Sequence, residues 1–592
     1  MLSFSRILIS QLLAVAIVLC GVEQVLAQQS GTTPPQTPGA KGRSYDSGSP
    51  SRRPPSPAPQ FPSPVTFSDI TAVSGITFKH SSSPTSQKYL PETMGGGVAL
   101  FDYDNDGRLD IFFTNGALLK DPMTAKDQPD KRDPRFWNRL YHQKPDNTFE
   151  DVTERAGVRG TGYSMGVAAG DFDNDGYVDL YVTNYDGGTL YRNRGDGSFE
   201  DVTAKAGVKG SGWLTSAGWF DYDRDGRLDL FVLRYMDWDF ERGALACGAT
   251  IRAYCHPDNF SGVTPILFHQ KADGTFEDVS KKAGVADSNG KGLGIAFADF
   301  DNDGLTDVFV ANDSVRQFLF HNRGDGTFED IALLAGAGYD DNGKTFAGMG
   351  VDAADYDNDG FPDVFITTLS NETYPLFHNS GDLTFSSQTA STGVGLITLL
   401  NTGWGTKFVD VDNDGWRDIF VAQGHVLDTI EQTTSYLTYK QMPLLMLNTG
   451  KSFVSAGKAA GLTTPLAARG CAFGDLDNDG DIDVVIAQTN GSPVILRNNG
   501  TKNHWLGLTL VGTKSNREGL GARVTVTDAS GSKQIFDVST ASSYLSSNDP
   551  RVLVGLGKKT GVKSVEIRWP SGVTQTVETP NIDRYLTVTE KN

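Results

Sequence analysis

A nine-residue phrase, Asp-x-Asp-x-Asp-Gly-x-x-Asp, occurs seven times between Asp102 and Asp483, and no copy departs from the pattern. Its aspartates are Asp102, Asp104, Asp106 and Asp110; Asp171, Asp173, Asp175 and Asp179; Asp221, Asp223, Asp225 and Asp229; Asp299, Asp301, Asp303 and Asp307; Asp355, Asp357, Asp359 and Asp363; Asp410, Asp412, Asp414 and Asp418; Asp475, Asp477, Asp479 and Asp483. A hard cation such as Ca²⁺ takes six to eight oxygens at about 2.3–2.6 Å. Alternate carboxylates supply them when a glycine lets the backbone turn sharply and present a carbonyl as a further ligand. One copy alone reads equally well as an acidic surface turn; seven identical copies do not. The twelfth position is Phe113 in the first copy and Val182 in the second, where an EF-hand needs a bidentate Glu, so the loop is of another kind. The expectation is up to seven Ca²⁺ ions that serve the fold rather than a single active centre.

Around each loop the repeat can be written out: Phe-Glu-Asp-Val-Thr-x-x-Ala-Gly-Val (Phe149 to Val158), a small-residue strand entering the loop, an apolar strand leaving it (Ile111-Phe112-Phe113), then Leu190-Tyr-Arg-Asn193 with its Gly-Asp-Gly turn. Four short strands per unit of roughly fifty to eighty residues is the pattern of one β-propeller blade. Seven loops therefore predict seven blades. The last unit stops at Asn498 without its Phe-Glu-Asp-Val strand, while Phe67-Ser-Asp-Ile-Thr71 stands alone before the first loop. The N-terminal strand is expected to complete the last blade and so remove two exposed sheet edges.

The predicted fold class is all-β: a seven-bladed β-propeller with calcium loops over residues 64–500, followed by a small β-sandwich over 501–592. Sixty-seven glycines and a scarcity of helical periodicity favour this class. In the tail, Leu506 to Leu510, Arg523 to Val526 and Val565 to Trp569 alternate as half-buried strands do. Residues 1–27 carry Arg6, an apolar stretch from Ile7 to Leu19, and Val25-Leu26-Ala27, the layout of a secretory signal. Cys20 raises a lipoprotein alternative, against which Leu19 stands where a lipobox wants a small residue. Residues 28–63, dense in Pro, Ser, Gly, Gln and Thr, read as a disordered, extended linker. No later segment is apolar enough to span a bilayer, so the mature chain is expected to be exported: periplasmic, cell-surface or secreted.

The net charge of −20 does not announce a basic partner. Four aspartates in each of seven loops account for twenty-eight acidic groups, and seven Ca²⁺ would offset fourteen of those charges. No basic stripe exists to neutralise phosphates, so nucleic acid is not an expected partner. Cys247 and Cys255 form the one close pair of cysteines; export permits a disulfide there, a local staple rather than a metal site with His256.

Each Asp loop joins the first two strands of its unit, so all seven lie on one face. The second strands run to the opposite face and end at polar residues, among them Asn115, Asn184, Arg234 and Asn312. Three long insertions (116–139, 235–265 and 424–443) and the connector 79–92 leave from that same end. Loops on a rigid scaffold usually carry function. The candidate ligand contacts are therefore Arg234, Tyr235, Asn312, Asp313 and His425, with Asn184, Asn115, His80 and Glu92; each is also a residue type that commonly caps turns or satisfies a loop.

The repeats resemble the FG-GAP (or VCBS) propeller repeats of integrin α chains. The tail, through Asn516 to Val524, Ser542-Ser-Tyr-Leu-Ser546, Val554-Gly-Leu-Gly557 and Trp569-Pro-Ser-Gly572, resembles the ASPIC/UnbV domain. Together they are similar to the cartilage-acidic-protein family. The resemblance implies a calcium-bearing propeller and says nothing of the ligand, because propellers host binding proteins and enzymes alike. The leading expectation is an extracellular binding or adhesion module for a protein or glycan, with no catalytic residue assigned. The alternative is a calcium-dependent enzyme acting on extracellular polysaccharide, with Tyr235 or His425 moving a proton. Against it, no acid/base pair stands apart from the loops and no Gly-x-Ser-x-Gly nucleophile motif appears.

Overall fold

The sevenfold repetition in sequence becomes seven sheets among the described residues, each built around one Asp loop. The computed structural model describes residues 41–43, 45, 57–124, 126–248 and 251–591. The expected signal segment, 1–27, lies outside them. In the second sheet, Ser164–Gly170 enters the Asp171 loop, Asp179–Asn184 leaves it, and Gly187–Asn193 and Phe199–Asp201 complete an antiparallel meander. The third, fourth, fifth and sixth sheets repeat this order. In the seventh, the outer strand is Phe67–Asp69, paired antiparallel with Val494–Asn498. The orphan N-terminal strand thus completes the last sheet.

Successive sheets are arranged face to face with their loop-entering strands inward. Val98–Phe101 lies beside Ser164–Gly170, that strand beside Leu214–Phe220, and so on through Gly292–Ala298, Val351–Ala354, Gly403–Val409 and Ala468–Gly474, which returns to Val98–Phe101. Aromatic and aliphatic side chains from facing sheets fill the spaces between: Phe220 stacks on Phe297 at 4.6 Å, and Tyr356 on Phe408 at 6.2 Å.

Two sets of side-chain amides bind each sheet to its neighbour. The last residue of every third strand reaches back to the preceding Asp loop: Asn193 Nδ2 donates to Tyr103 O at 2.8 Å, Gln270 Nε2 to Phe172 O, Asn322 to Tyr222 O, Asn379 to Phe300 O, Asn448 to Tyr356 O and Asn498 to Val411 O. Gln143 Nε2 donates to Leu476 O at 2.8 Å, from the first sheet to the seventh. The fourth loop residue reaches forward instead: Asn105 to Gly176 O, Asn174 to Gly226 O, Asn358 to Gly415 O, and Asn478 to Gly107 O, again from seventh to first. These asparagines sit at φ near +60°, a conformation Asn tolerates better than other side chains.

The C-terminal region forms two packed sheets. One holds His504–Val511 between Val552–Gly557 and Tyr585–Thr589; the other holds Arg523–Asp528 and Val562–Arg568 flanked by Lys533–Asp537 and Thr574–Glu578. Their apolar core, including Leu508, Val526, Val565 and Trp569, is continuous with that of the second and third sheets through Phe172 and Trp219. This sandwich sits on the Asp-loop face. Glu518 accepts from the Asp171 amide at 2.7 Å, Asn503 donates to Asp412 O at 2.7 Å, Tyr585 Oη donates to Asp475 Oδ2 at 2.7 Å, and Arg568 pairs with Asp299.

From the sandwich, Ala541–Asn548 descends into the centre of the disc. Ala541–Ser542 and Ser546–Ser547 pair with each other, and Ser547 pairs with Ala99, which extends the first sheet to six strands. Ser543 Oγ donates to Cys471 O at 2.7 Å and accepts from Thr406 N at 3.1 Å; the Leu545 carbonyl accepts from Val167 N at 3.1 Å. The small residues of the inner strands have a physical reason: a Cβ on Gly97 would lie 2.3 Å from Leu545 O. Tyr544 passes through to the far face, fully buried, and donates to Met94 O at 2.8 Å.

Parts of the 28–63 segment, expected to be a tether, are held. Lys41–Gly42 pairs in parallel with Ala246–Cys247, and Gln60 bridges Ser455. Glycine at 42 makes the first contact possible, since a Cβ there would stand 2.5 Å from Cys247 Sγ. No helix among the described residues is long and apolar enough to cross a membrane.

Candidate functional site

On the Asp-loop face each loop is shaped by its own carboxylates. Asp102 accepts the amides of Asp106 (3.1 Å) and Gly107 (2.8 Å), while Asp110 accepts those of Tyr103 (3.1 Å) and Gln143 (2.8 Å), which ties the loop to the third strand. The aspartate at position three is left over. Buried Oδ1 atoms of Asp104, Asp173, Asp357 and Asp477 have no hydrogen-bond partner. Carboxylate oxygens of Asp102, Asp104 and Asp110, and of Asp171, Asp173 and Asp179, lie within 4.8 Å of one another. Burial, reinforced by neighbouring carboxylates, pushes Asp171 and Asp221 up to about 7 and Asp410 up to about 8. Convergent carboxylates with an orphaned oxygen and raised proton affinity are a donor set that a hard cation fits, with positions one, three, five and nine as its holders.

Four histidines stand beside these clusters. Nδ1 of His142, His269, His321 and His378 lies 3.3, 3.0, 3.1 and 3.1 Å from the aspartate at position nine of its loop. Together with the amides that bridge the sheets, they are the residues sequence reading assigned no role. The signal was present: Asn or Gln closes every third strand, and in the first, third, fourth and fifth units His precedes it.

On the opposite face the predicted contacts divide into two groups. Arg234 donates to Thr264 O and Oγ1, Asn115 to Arg135 O and Trp137 O, Asn312 to Arg316 O, and Asn184 to Val182 O and Thr189 Oγ1. These four side chains order the loops they belong to. The others turn toward the axis. Tyr235 Oη donates to Asp313 Oδ2 at 2.5 Å. Glu92, on the turn Pro91–Met94, accepts from Thr85 Oγ1 (2.6 Å), Tyr89 N (3.0 Å) and Tyr254 Oη (3.3 Å), and burial pushes its carboxyl up to about 7. His425 Nδ1 accepts from Leu427 N and His80 Nδ1 from Asn490 N; burial, with the Arg469 charge nearby, pushes both down to about 3, so both are neutral imidazoles.

Arg469 is the organising group that sequence reading passed over. Fully buried, it donates to Thr93 O (2.6 Å), Thr93 Oγ1 (2.9 Å), Ala468 O (2.7 Å) and His425 O (3.1 Å), and its guanidinium lies 4.2 Å from the Trp404 ring, which in turn meets Tyr544 at 4.9 Å. It occupies the inner-strand position held by Met165, Leu293 and Trp404 in other units, and a lone arginine in that series was its signal. Beside it opens a cavity of about 250 Å³ lined by Glu92, Tyr254, Asp428, Tyr439, Lys440 and Gln488, among others.

Residues 124–182, 171–232, 258–310, 299–366 and 355–421 match the FG-GAP-like repeat family, and 512–592 match the ASPIC and UnbV family. The chain carries FG-GAP repeats and an ASPIC/UnbV domain. It is 28% identical over 304 residues to Cartilage acidic protein 1 of Homo sapiens, covering 50% of this chain and 43% of that protein. To the Mus musculus protein of the same name it is 26% identical over 325 residues, covering 52% and 47%. The chain thus spans less than half the length of these curated relatives. Among solved structures, a Bacillus licheniformis rhamnogalacturonan lyase is 12% identical with a TM-score of 0.36, over 78% of each chain.

Proposed function

We propose that this chain is an exported binding protein, a seven-bladed propeller held by up to seven Ca²⁺ ions, that takes an extracellular protein or glycan on the face opposite the Asp loops. The observation that carries this reading is the meeting of tyrosines and carboxyl groups at the far-face cavity. The sandwich sits on the loop face, where a cavity of about 700 Å³ remains between the Asp102 and Asp171 loops and Tyr585, and Ala541–Asn548 fills the centre; on the far face the smaller cavity brings Tyr254 against Glu92. Tyr254 and Tyr439 supply flat, amphipathic surface; Glu92 and Asp428 supply hydrogen-bonding groups, the combination that fixes a polar ligand's orientation. Calcium would act here by holding the ring that positions these loops, and it touches no ligand.

The test is saturable binding to arrayed glycans and extracellular-matrix proteins, compared between the wild-type chain and Glu92→Gln and Tyr254→Phe. Loss of binding by about tenfold or more with an unchanged melting temperature supports the cavity as the site; unchanged binding sinks it. The enzyme reading keeps one point in its favour: at neutral pH Glu92 is divided between acid and carboxylate, as a proton-transferring group must be. Release of unsaturated or reducing ends from a polysaccharide, abolished by Glu92→Gln, would establish that reading instead.

A further inference from the structure

Residues Ala246–Cys247 and His256–Asn259 face each other across a narrow groove on the far face, and the disulfide Cys247–Cys255 ties its two walls together. A short segment of the chain itself lies in it. Lys41 and Gly42 pair in parallel with Ala246 and Cys247. Arg43 is clamped through its backbone: its N–H donates to Asn259 Oδ1 at 2.9 Å, and its carbonyl accepts from His256 N at 3.0 Å and from Asn259 Nδ2 at 2.8 Å. Its guanidinium pairs with Asp258. Two residues on, the Tyr45 ring meets the His256 ring at 4.8 Å, and its hydroxyl lies beside Tyr235, the donor to Asp313.

We propose that this groove is a peptide-recognition site, distinct from the Glu92 cavity, for a segment with glycine, then arginine, then an aromatic residue two positions further, and that Gly42, Arg43 and Tyr45 occupy it as a displaceable intramolecular ligand. Each requirement has a cause on the page. The glycine is dictated by space, because a Cβ at 42 would meet Cys247 Sγ at 2.5 Å and Asn259 Oδ1 at 3.2 Å. The Asn259 amide mimics a strand edge, the mode by which extended peptides add to exposed backbone. The disulfide keeps both walls in place before a ligand arrives, which lowers the ordering cost of binding. The attachment is short: two residues pair, Arg43 adds three backbone hydrogen bonds, and the Arg43–Asp258 side chains are 57% and 36% exposed, so that ion pair adds little. An external peptide competes with a segment of the same chain, at a local concentration on the order of millimolar.

The experiment measures fluorescence anisotropy of a labelled peptide with the sequence of residues 40–47 against full-length chains. A double variant, Arg43→Ala with Tyr45→Ala, vacates the groove; it should bind the peptide saturably and at least about tenfold more tightly than wild type, whose tethered copy competes. Adding Asn259→Ala, or Asp258→Asn should the former not fold, should remove that binding, as should replacing the peptide's glycine by alanine. Adding Glu92→Gln should leave it unchanged, which separates this site from the cavity. No saturation with the double variant up to about 1 mM peptide, or equal affinity for wild type and double variant, overturns the proposal.

Discussion

The two faces of the disc are built on opposite rules. On the Asp-loop face one motif is repeated seven times, and six of the seven loops hand an asparagine amide to the next, Arg224 standing in that position in the third. On the far face the connections differ, and polar groups converge near the axis, around Arg469, Glu92 and Tyr235. Repetition serves a requirement shared by every sheet; a binding site needs asymmetry, and insertions provide it.

The sharpest way to break this contrast is to remove the cation. If the Asp loops are structural, each adds about 1 kcal/mol at millimolar calcium with dissociation constants near 10⁻⁴–10⁻³ M, and seven together add several. Calorimetric titration of the chelated chain, with a melt at each point, should therefore find close to seven ions and a steep rise in melting temperature. Few ions, or a flat melting curve, would move calcium from the fold to the function.

Next in size is the contact that joins the faces. Tyr544→Ala should destabilise by about 3–5 kcal/mol in denaturant titration, because it empties a buried aromatic site beside Trp404 and strips Met94 O of its donor. Tyr544→Phe keeps the ring and should cost about 1 kcal/mol. Equal effects for the two would mean that the segment is not seated in the channel.

A further effect is predicted for pH. In the chelated chain burial raises Asp110, Asp355 and Asp475 to about 6, Asp221 to about 7 and Asp410 to about 8, all above the ordinary carboxylate value. Between about pH 4 and 8 the folded state then binds more protons than the unfolded one, so stability falls as pH rises through that window. The chelated chain should melt higher at pH 5 than at pH 8, and saturating calcium should reverse the order; the same order with and without calcium would contradict a carboxylate-held ion.

Smallest is the inter-sheet amide. Asn413 is buried and donates to Gly480 O at 3.0 Å, whereas Asn105 is exposed and donates to Gly176 O. Asn413→Ala should cost about 1–3 kcal/mol and Asn105→Ala less than about 1 kcal/mol, read by thermal denaturation. A reversed order would show that burial does not set the strength of this girdle.

Much of the architecture was legible beforehand, and the reason is local. The spacing of aspartates around a glycine prescribes a turn, and Ile111-Phe112-Phe113 prescribes a buried strand. The unpaired Phe67–Asp69 strand and the truncated last unit prescribe their own pairing. The candidate site was legible only in outline. Tyr235 and Asp313 were named and do meet; His425, His80 and Glu92 do converge on the axis. Arg234, Asn115, Asn184 and Asn312 looked the same in sequence but serve their own loops, because a polar strand end does not reveal whether its partner is a backbone carbonyl or a ligand.

Residue spacing by itself determined the repeated sheets, the Asp loops and the strand that completes the last sheet, since each depends on neighbours a few positions away or on counting identical units. Tertiary structure alone decided that the C-terminal sandwich caps one face, that Ser543 and Tyr544 thread the centre, that Arg469 is buried against Trp404, and that Arg43 lies against Asn259. Those contacts join residues tens to hundreds of positions apart, and they follow from which surfaces remain uncovered once the ring has formed, a property no local pattern carries.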